Sequence, residues 1–165
     1  MISKEKKNNM KKNTFSQKVD GTDMRFGIVV AHFNRQVTEG LERACIATLK
    51  KHGVKEKDIE LFCVPGSFEI PFFANELAKQ KKYDAIIALG AVVKGETKHD
   101  EYIANAVAQG ITRVGLDHGI PVILGVITPN TIEQAIARSS DNEFNKGREA
   151  ALAAIEMVQL THALQ

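Results

Sequence analysis

The chain carries almost no net charge, with 22 lysines and arginines against 20 aspartates and glutamates, so its charge balance gives no reason to expect a nucleic-acid partner. It holds no apolar run near the ~20 residues that a membrane-spanning helix needs, and its first residues lack the apolar centre of a secretory signal. A cytoplasmic protein is the expectation. Cysteine is scarce: Cys45 and Cys63 are the two in the chain, each among apolar neighbours, one in an expected helix and the other in an expected strand. Both are read as small buried thiols, not as a disulfide or a metal pair.

What charge imbalance exists lies at the start, where Lys4, Lys6, Lys7, Lys11, Lys12 and Lys18 are offset by Glu5 alone. Repulsion among these lysines predicts a basic, flexible leader over residues 1–20, followed by a single domain over 21–165. A chain of 165 residues, 44% of them hydrophobic, has the size of one domain and buries roughly two-thirds of the surface that its unfolded form exposes.

Beyond the leader, short β-branched runs alternate with helical stripes. Residues 25–31 form a run suited to a strand buried on both faces, and 59–64, 85–89 and 121–127 repeat the pattern. Between them, Val37, Leu41, Ala44, Cys45, Thr48 and Leu49 recur at three and four and predict a helix ending near Gly53. Ile70, Phe73, Ala74, Leu77 and Ala78 predict a second helix, and Ile103, Ala106, Val107, Gly110, Ile111 and Val114 a third. A short helix over 131–138, a polar loop over 139–145 and an alanine-rich helix over 146–164 complete the chain. Strand and helix alternating four times predict an α/β fold with a parallel sheet covered on both faces. Ligands in such sheets bind beyond the carboxyl ends of the strands, which directs attention to residues 31–35, 64–69, 90–99 and 128–130.

Several motifs are absent there. Gly90-Ala91-Val92-Val93-Lys94-Gly95-Glu96-Thr97 has a glutamate where a P-loop needs lysine, and no Gly-x-Gly-x-x-Gly follows the first strand, so neither an ATPase nor a dinucleotide enzyme is expected. The first strand ends in Ala31-His32-Phe33, without the carboxylates of a response regulator. His99, Asp100 and Glu101 are consecutive and cannot all face one metal ion, so no metal site is predicted.

Among the residues present, His99 stands at the mouth of the expected cleft, and imidazole is the side chain that exchanges protons near neutral pH. Gly95 permits close backbone approach, and Thr97 adds a hydroxyl near a helix N-terminus that favours an anion such as phosphate. Glu69 reads either as a helix cap or as an acceptor for a polyhydroxylated ligand. Phe33 reads either as core or as a stacking surface for a planar heterocycle. Arg138 and Lys146 flank a loop and by themselves read as surface charges.

In order and spacing, Phe33-Asn34, the run from Val64 to Pro71 (Val-Pro-Gly-Ser-Phe-Glu-Ile-Pro), the run from Leu89 to His99, Gly125-Val126-Ile127-Thr128, Glu133-Gln134-Ala135 and Asn145-Lys146-Gly147 resemble the 6,7-dimethyl-8-ribityllumazine synthase family over residues 25–160. The resemblance implies a three-layer αβα sandwich with a flavodoxin-like parallel sheet of order 2-1-3-4, and an extra N-terminal strand exchanged with a neighbouring subunit. It implies a transferase of riboflavin biosynthesis that needs no cofactor and works as a homopentamer with active sites between subunits. Sixty-subunit shells and association with riboflavin synthase also occur in the family. By resemblance, Phe33 stacks on the pyrimidine, Ser67 and Glu69 bind the ribityl chain, Val92 and Val93 contact the ring, and Asn34, Phe68, Ala91 and Leu124 are also substrate-binding. Gly95, Glu96 and Thr97 match the phosphate loop, His99 the proton-transfer residue, Arg138 the arginine reaching a neighbour's phosphate, and Lys146 a lysine near it.

Two departures stand out: Leu124 replaces a frequent phenylalanine, and Asp141 and Glu143 make the 139–144 loop acidic. They support a competing expectation, a shell or flavin-binding module without turnover. A signalling domain ranks below both, for want of an acidic pocket.

Overall fold

Each expected strand forms. In a computed structural model that describes residues 18–164, β1 (Phe26–Ala31), β2 (Ile59–Val64), β3 (Ala85–Ala91) and β4 (Val122–Ile127) make one parallel sheet in the order β2-β1-β3-β4. α1 (Arg35–Lys51) follows β1, α2 (Ile70–Lys79) follows β2, and α3 (His99–His118) follows β3. α4 (Ile132–Ala137) and α5 (Lys146–His162) follow β4. Residues 1–17 of the leader, and the N-terminal strand expected to be exchanged with a neighbour, lie outside the described residues. At the start of what is described, Val19 packs against the core and its carbonyl meets His52 Nδ1 at 3.0 Å.

The layers follow from alternation along the strands. On one face Phe26, Ile28, Val30, Ile87 and Leu89 pack with Val37, Leu41, Cys45 and Leu49 of α1 and Ala151, Ala154 and Ile155 of α5. On the other, Val29, Ala31, Ile86 and Ala88 pack with Ile70, Ala74 and Leu77 of α2 and Val107, Ile111 and Val114 of α3. Each large side chain buried this way contributes ~1.5–3 kcal/mol, and these stripes hold the helices more than intrinsic propensity does. Gly110 lets α3 close on α2, since a Cβ there would sit 2.6 Å from Pro71. The result is the expected αβα sandwich of flavodoxin-like topology.

Two expectations are corrected. β3 runs two residues further than the apolar run suggested: Gly90 and Ala91 belong to the strand, paired with Val126 and Ile127. Cys45 is buried, and that burial pushes its thiol pKa well above the ordinary cysteine range, but Cys63 is exposed. β2 is an edge strand, and the helices of that face cover β1 and β3 while leaving Leu61 and Cys63 open.

Candidate active site

The parallel register brings the carboxyl ends of the strands to one rim, with Ala31 beside Val64 and Ala91 beside Ile127. Past β1, the amides of His32 and Phe33 donate to the carbonyls of Val64 and Pro65 at 2.8 and 3.0 Å, carrying the ladder into the turn. Asn34 then adopts the left-handed conformation at φ 60°, ψ 41°, which asparagine tolerates better than most residues. Its Nδ2 donates to the Ala91 carbonyl at 2.8 Å. That contact fixes the turn and leaves Phe33 70% exposed over the rim.

Past β2, Pro65-Gly66 leads into a 3₁₀ turn at Ser67–Glu69. Ser67 is buried at 7% exposure. A Cβ on Gly90 would fall 2.5 Å from Ser67 Oγ, so the glycine makes room for that hydroxyl. Glu69 occupies the cap position of α2 but makes no capping bond, so its exposed carboxylate is left to the rim. Phe68 is likewise exposed.

Past β3, the amides of Val92 and Lys94 donate to Ile127 and Pro129 at 2.9 and 3.0 Å, which fastens the loop to the end of β4. The loop enters α3 at His99, whose amide donates to Thr97 Oγ1 at 3.4 Å. The Gly95 amide reaches Asp100 Oδ1 at the same long distance, and nothing lies within 4 Å of the place a Gly95 side chain would take. Amides at the start of a 20-residue helix beside an unobstructed glycine suit an anion, which would compete with Asp100 for the Gly95 donor. Among the described residues, none hydrogen-bonds the exposed His99 ring.

These three rims enclose a cleft of about 830 Å³, whose walls include Phe33, Asn34, Ser67, Phe68, Glu69, Ala91, Val92, Val93, Gly95, Thr97 and His99. Glu96 is exposed in the same loop but does not line the cleft. The walls also include Lys94, Asp100, Tyr102 and Ile103, to none of which the sequence assigned a binding role, Asp100 having been set aside as a metal ligand. Tyr102 and Ile103 follow His99 by three and four, the spacing that puts them on its face of α3 and the signal that could have found them.

Leu124, Arg138 and Lys146 lie elsewhere on the chain, in a second cleft of about 500 Å³ along β4, the other edge of the sheet. Leu124 is 54% exposed there. Arg138 ends α4 and donates from Nη1 to the Gln134 carbonyl at 3.3 Å. Lys146 Nζ pairs with Glu149, 2.5 Å away, across one turn of α5. Within one chain the predicted site is therefore two separate surfaces, one holding the imidazole and the other two of the cations. Among the described residues, no three histidine, cysteine, aspartate or glutamate side chains converge as metal ligands would.

The family model for 6,7-dimethyl-8-ribityllumazine synthase matches residues 23–162, nearly the whole described fold. The chain belongs to that family. Lumazine synthases are enzymes of riboflavin biosynthesis that act on small molecules and assemble as oligomers. Among solved structures, a de novo designed Rossmann-fold protein is similar at a TM-score of 0.39 and 15% identity, over 72% of this chain and 100% of that one. Among the described residues no helix is long and apolar enough to cross a membrane. Both segments that carry the lumazine synthase resemblance most strongly, residues 64–71 and 89–99, contribute walls to the first cleft.

Proposed function

We propose that the chain condenses 5-amino-6-(D-ribitylamino)uracil with 3,4-dihydroxy-2-butanone 4-phosphate to 6,7-dimethyl-8-ribityllumazine, releasing phosphate and water. The observation that carries this reading is the shared cleft: a planar aromatic at Phe33, polar groups at Ser67 and Glu69, and the Gly95, Thr97 and His99 loop face one volume. Phe33 and Asn34 contact the pyrimidine and Val92 and Val93 border the ring, while Ser67 and Glu69 hold the ribityl hydroxyls. The 95–97 loop takes the phosphate.

In the reaction, the 5-amino nitrogen attacks the ketone and the adduct loses water to give an imine. Phosphate is then eliminated, and attack of the ribityl-bearing nitrogen on the remaining carbonyl closes the ring and expels a second water. His99 moves the protons, and alignment of the two partners supplies the larger part of the acceleration. Arg138, Lys146 and Leu124 sit in the second cleft, so in this reading a neighbouring subunit of a pentamer delivers them to the first. A sixty-subunit shell and an association with riboflavin synthase are compatible extensions, and the reaction takes place in the cytoplasm without a cofactor.

The Lys146–Glu149 pair and the exposed Leu124 favour a second reading, a flavin-binding shell that has lost turnover. Mixing the purified protein with the two substrates and following lumazine fluorescence separates them. Product well above the spontaneous rate supports the enzyme. Ribityl-flavin binding without product supports the shell.

A further inference from the structure

Asn145 is 2% exposed and spends both ends of its amide. Nδ2 donates to the carbonyls of Ser139, Ser140 and Gly40 at 2.8, 2.9 and 3.3 Å. Oδ1 accepts from the amides of Gly147 and Arg148 at 2.8 and 3.3 Å. Two N–H groups serve three carbonyls, so one hydrogen is shared. The flipped amide would turn its oxygen on three other oxygens, which fixes its orientation. Around this amide the backbones touch: a Cβ on Gly40 would sit 2.1 Å from the Ser139 carbonyl oxygen, and one on Gly147 would sit 2.0 Å from that of Leu41. The loop is closed by the Lys146 amide, which donates to the Arg138 carbonyl at 2.9 Å.

We infer that Asn145 is a positioning residue for phosphate binding: by clamping the 139–145 loop to α1 and to the start of α5, it sets Arg138 and Lys146 as one two-cation surface. This rests on the proposed function and deepens it: the two cations that a neighbour delivers to the first cleft meet the phosphate held by the 95–97 loop, with Lys146 exchanging its Glu149 partner for that anion. Capping alone would explain the acceptor half of the amide, because serine, aspartate and asparagine cap helices about equally. The donor half ties down the loop, and neither serine nor aspartate reproduces it. Aspartate would set a carboxylate against three carbonyls.

The test compares Asn145→Ser and Asn145→Asp with the wild-type assembly, alone and in an Arg138→Ala background, measuring inorganic phosphate binding by calorimetry and both KM values. Losing the donated bonds weakens phosphate binding and raises the butanone phosphate KM by about ten-fold in either variant, the equivalent of a lost buried hydrogen bond. The pyrimidine KM stays within about two-fold, since no wall of the first cleft is touched. With Arg138 already removed, Asn145→Ser adds much less. Wild-type phosphate binding in both variants overturns the positioning role, as does an equal rise in both KM values, full additivity with Arg138→Ala, or failure of both variants to fold. Absence of lumazine product from the wild type sinks the proposed function instead, while the phosphate titration still decides the role of Asn145. A wild type that binds no phosphate removes both.

Discussion

The Asn34 side chain donates across the rim to the Ala91 carbonyl at 2.8 Å, so the turn that carries Phe33 is tied to the strand end that leads into the 92–98 loop. Two properties of asparagine meet there, tolerance of φ 60° and a long-reaching donor. Asn34→Ala loses both and should destabilise the fold by ~1–3 kcal/mol, whereas Asn34→Gly keeps the backbone conformation and should cost ~1 kcal/mol. Urea denaturation of the two variants measures the difference. Equal losses would mean that the left-handed backbone contributes nothing.

Gly90 and Ser67 give a sharper test of the ribityl end. The Cβ of Gly90→Ala would stand 2.5 Å from the buried Ser67 hydroxyl and 3.4 Å from Ile70, so the hydroxyl must swing away while the strand survives. The expected outcome is a pyrimidine KM raised by about three- to ten-fold, the range of one lost hydrogen bond, with the thermal midpoint little changed. An unchanged KM would take Ser67 out of the ribityl contact.

His99→Ala should lower kcat by ~10² to 10⁴ and leave measurable catalysis, because proton transfer is one part of the acceleration and partner alignment another. Stopped-flow fluorescence of lumazine formation reads this directly. The exposed ring has no hydrogen-bond partner among the described residues, so stability should be unaffected. A wild-type rate in the variant would remove His99 from the chemistry.

The two thiols should differ in reactivity. Burial raises the pKa of Cys45 and so removes thiolate at neutral pH, while Cys63 faces outward on β2. One thiol per chain should react quickly with a disulfide reagent, and the second only after denaturation. Fast reaction of both would contradict the packing of Cys45 between α1 and the sheet.

Much of the fold was legible because two signals coincide along the chain. Runs such as residues 26–31 and 85–89 are apolar at every position since their strands are inner, and the stripe Val37, Leu41, Cys45 and Leu49 marks the buried side of α1. Edge position leaves no such trace, which is why Cys63 was expected to be buried. Gly90 reads as a break when it is a strand residue cleared for Ser67. The first cleft was legible from strand ends and from the family's motifs, yet only the structure separates Glu69 as an uncapping carboxylate from Glu69 as a cap. Sequence order also hides that Arg138 and Lys146 sit in a different cleft from His99. Asn145 read as the end of a polar loop and as part of a family motif with no role of its own, because nothing in its type distinguishes a solvated amide from one holding three carbonyls.

The pinned ends of that loop divide its residues into two kinds. Ser139 and Asn145 are buried at the junction of α1 and α5, whereas residues 141–144 are exposed between them. Length is therefore constrained, and so is Asn142, whose side chain donates to the Ala137 carbonyl at 3.1 Å and accepts from the Phe144 amide at 2.8 Å. The side chains of Asp141 and Glu143, by contrast, are exposed and can vary without moving the frame that carries Arg138 and Lys146. Relatives that differ here should share a common geometry and vary in the local field, so salt sensitivity is the property this stretch leaves open to selection.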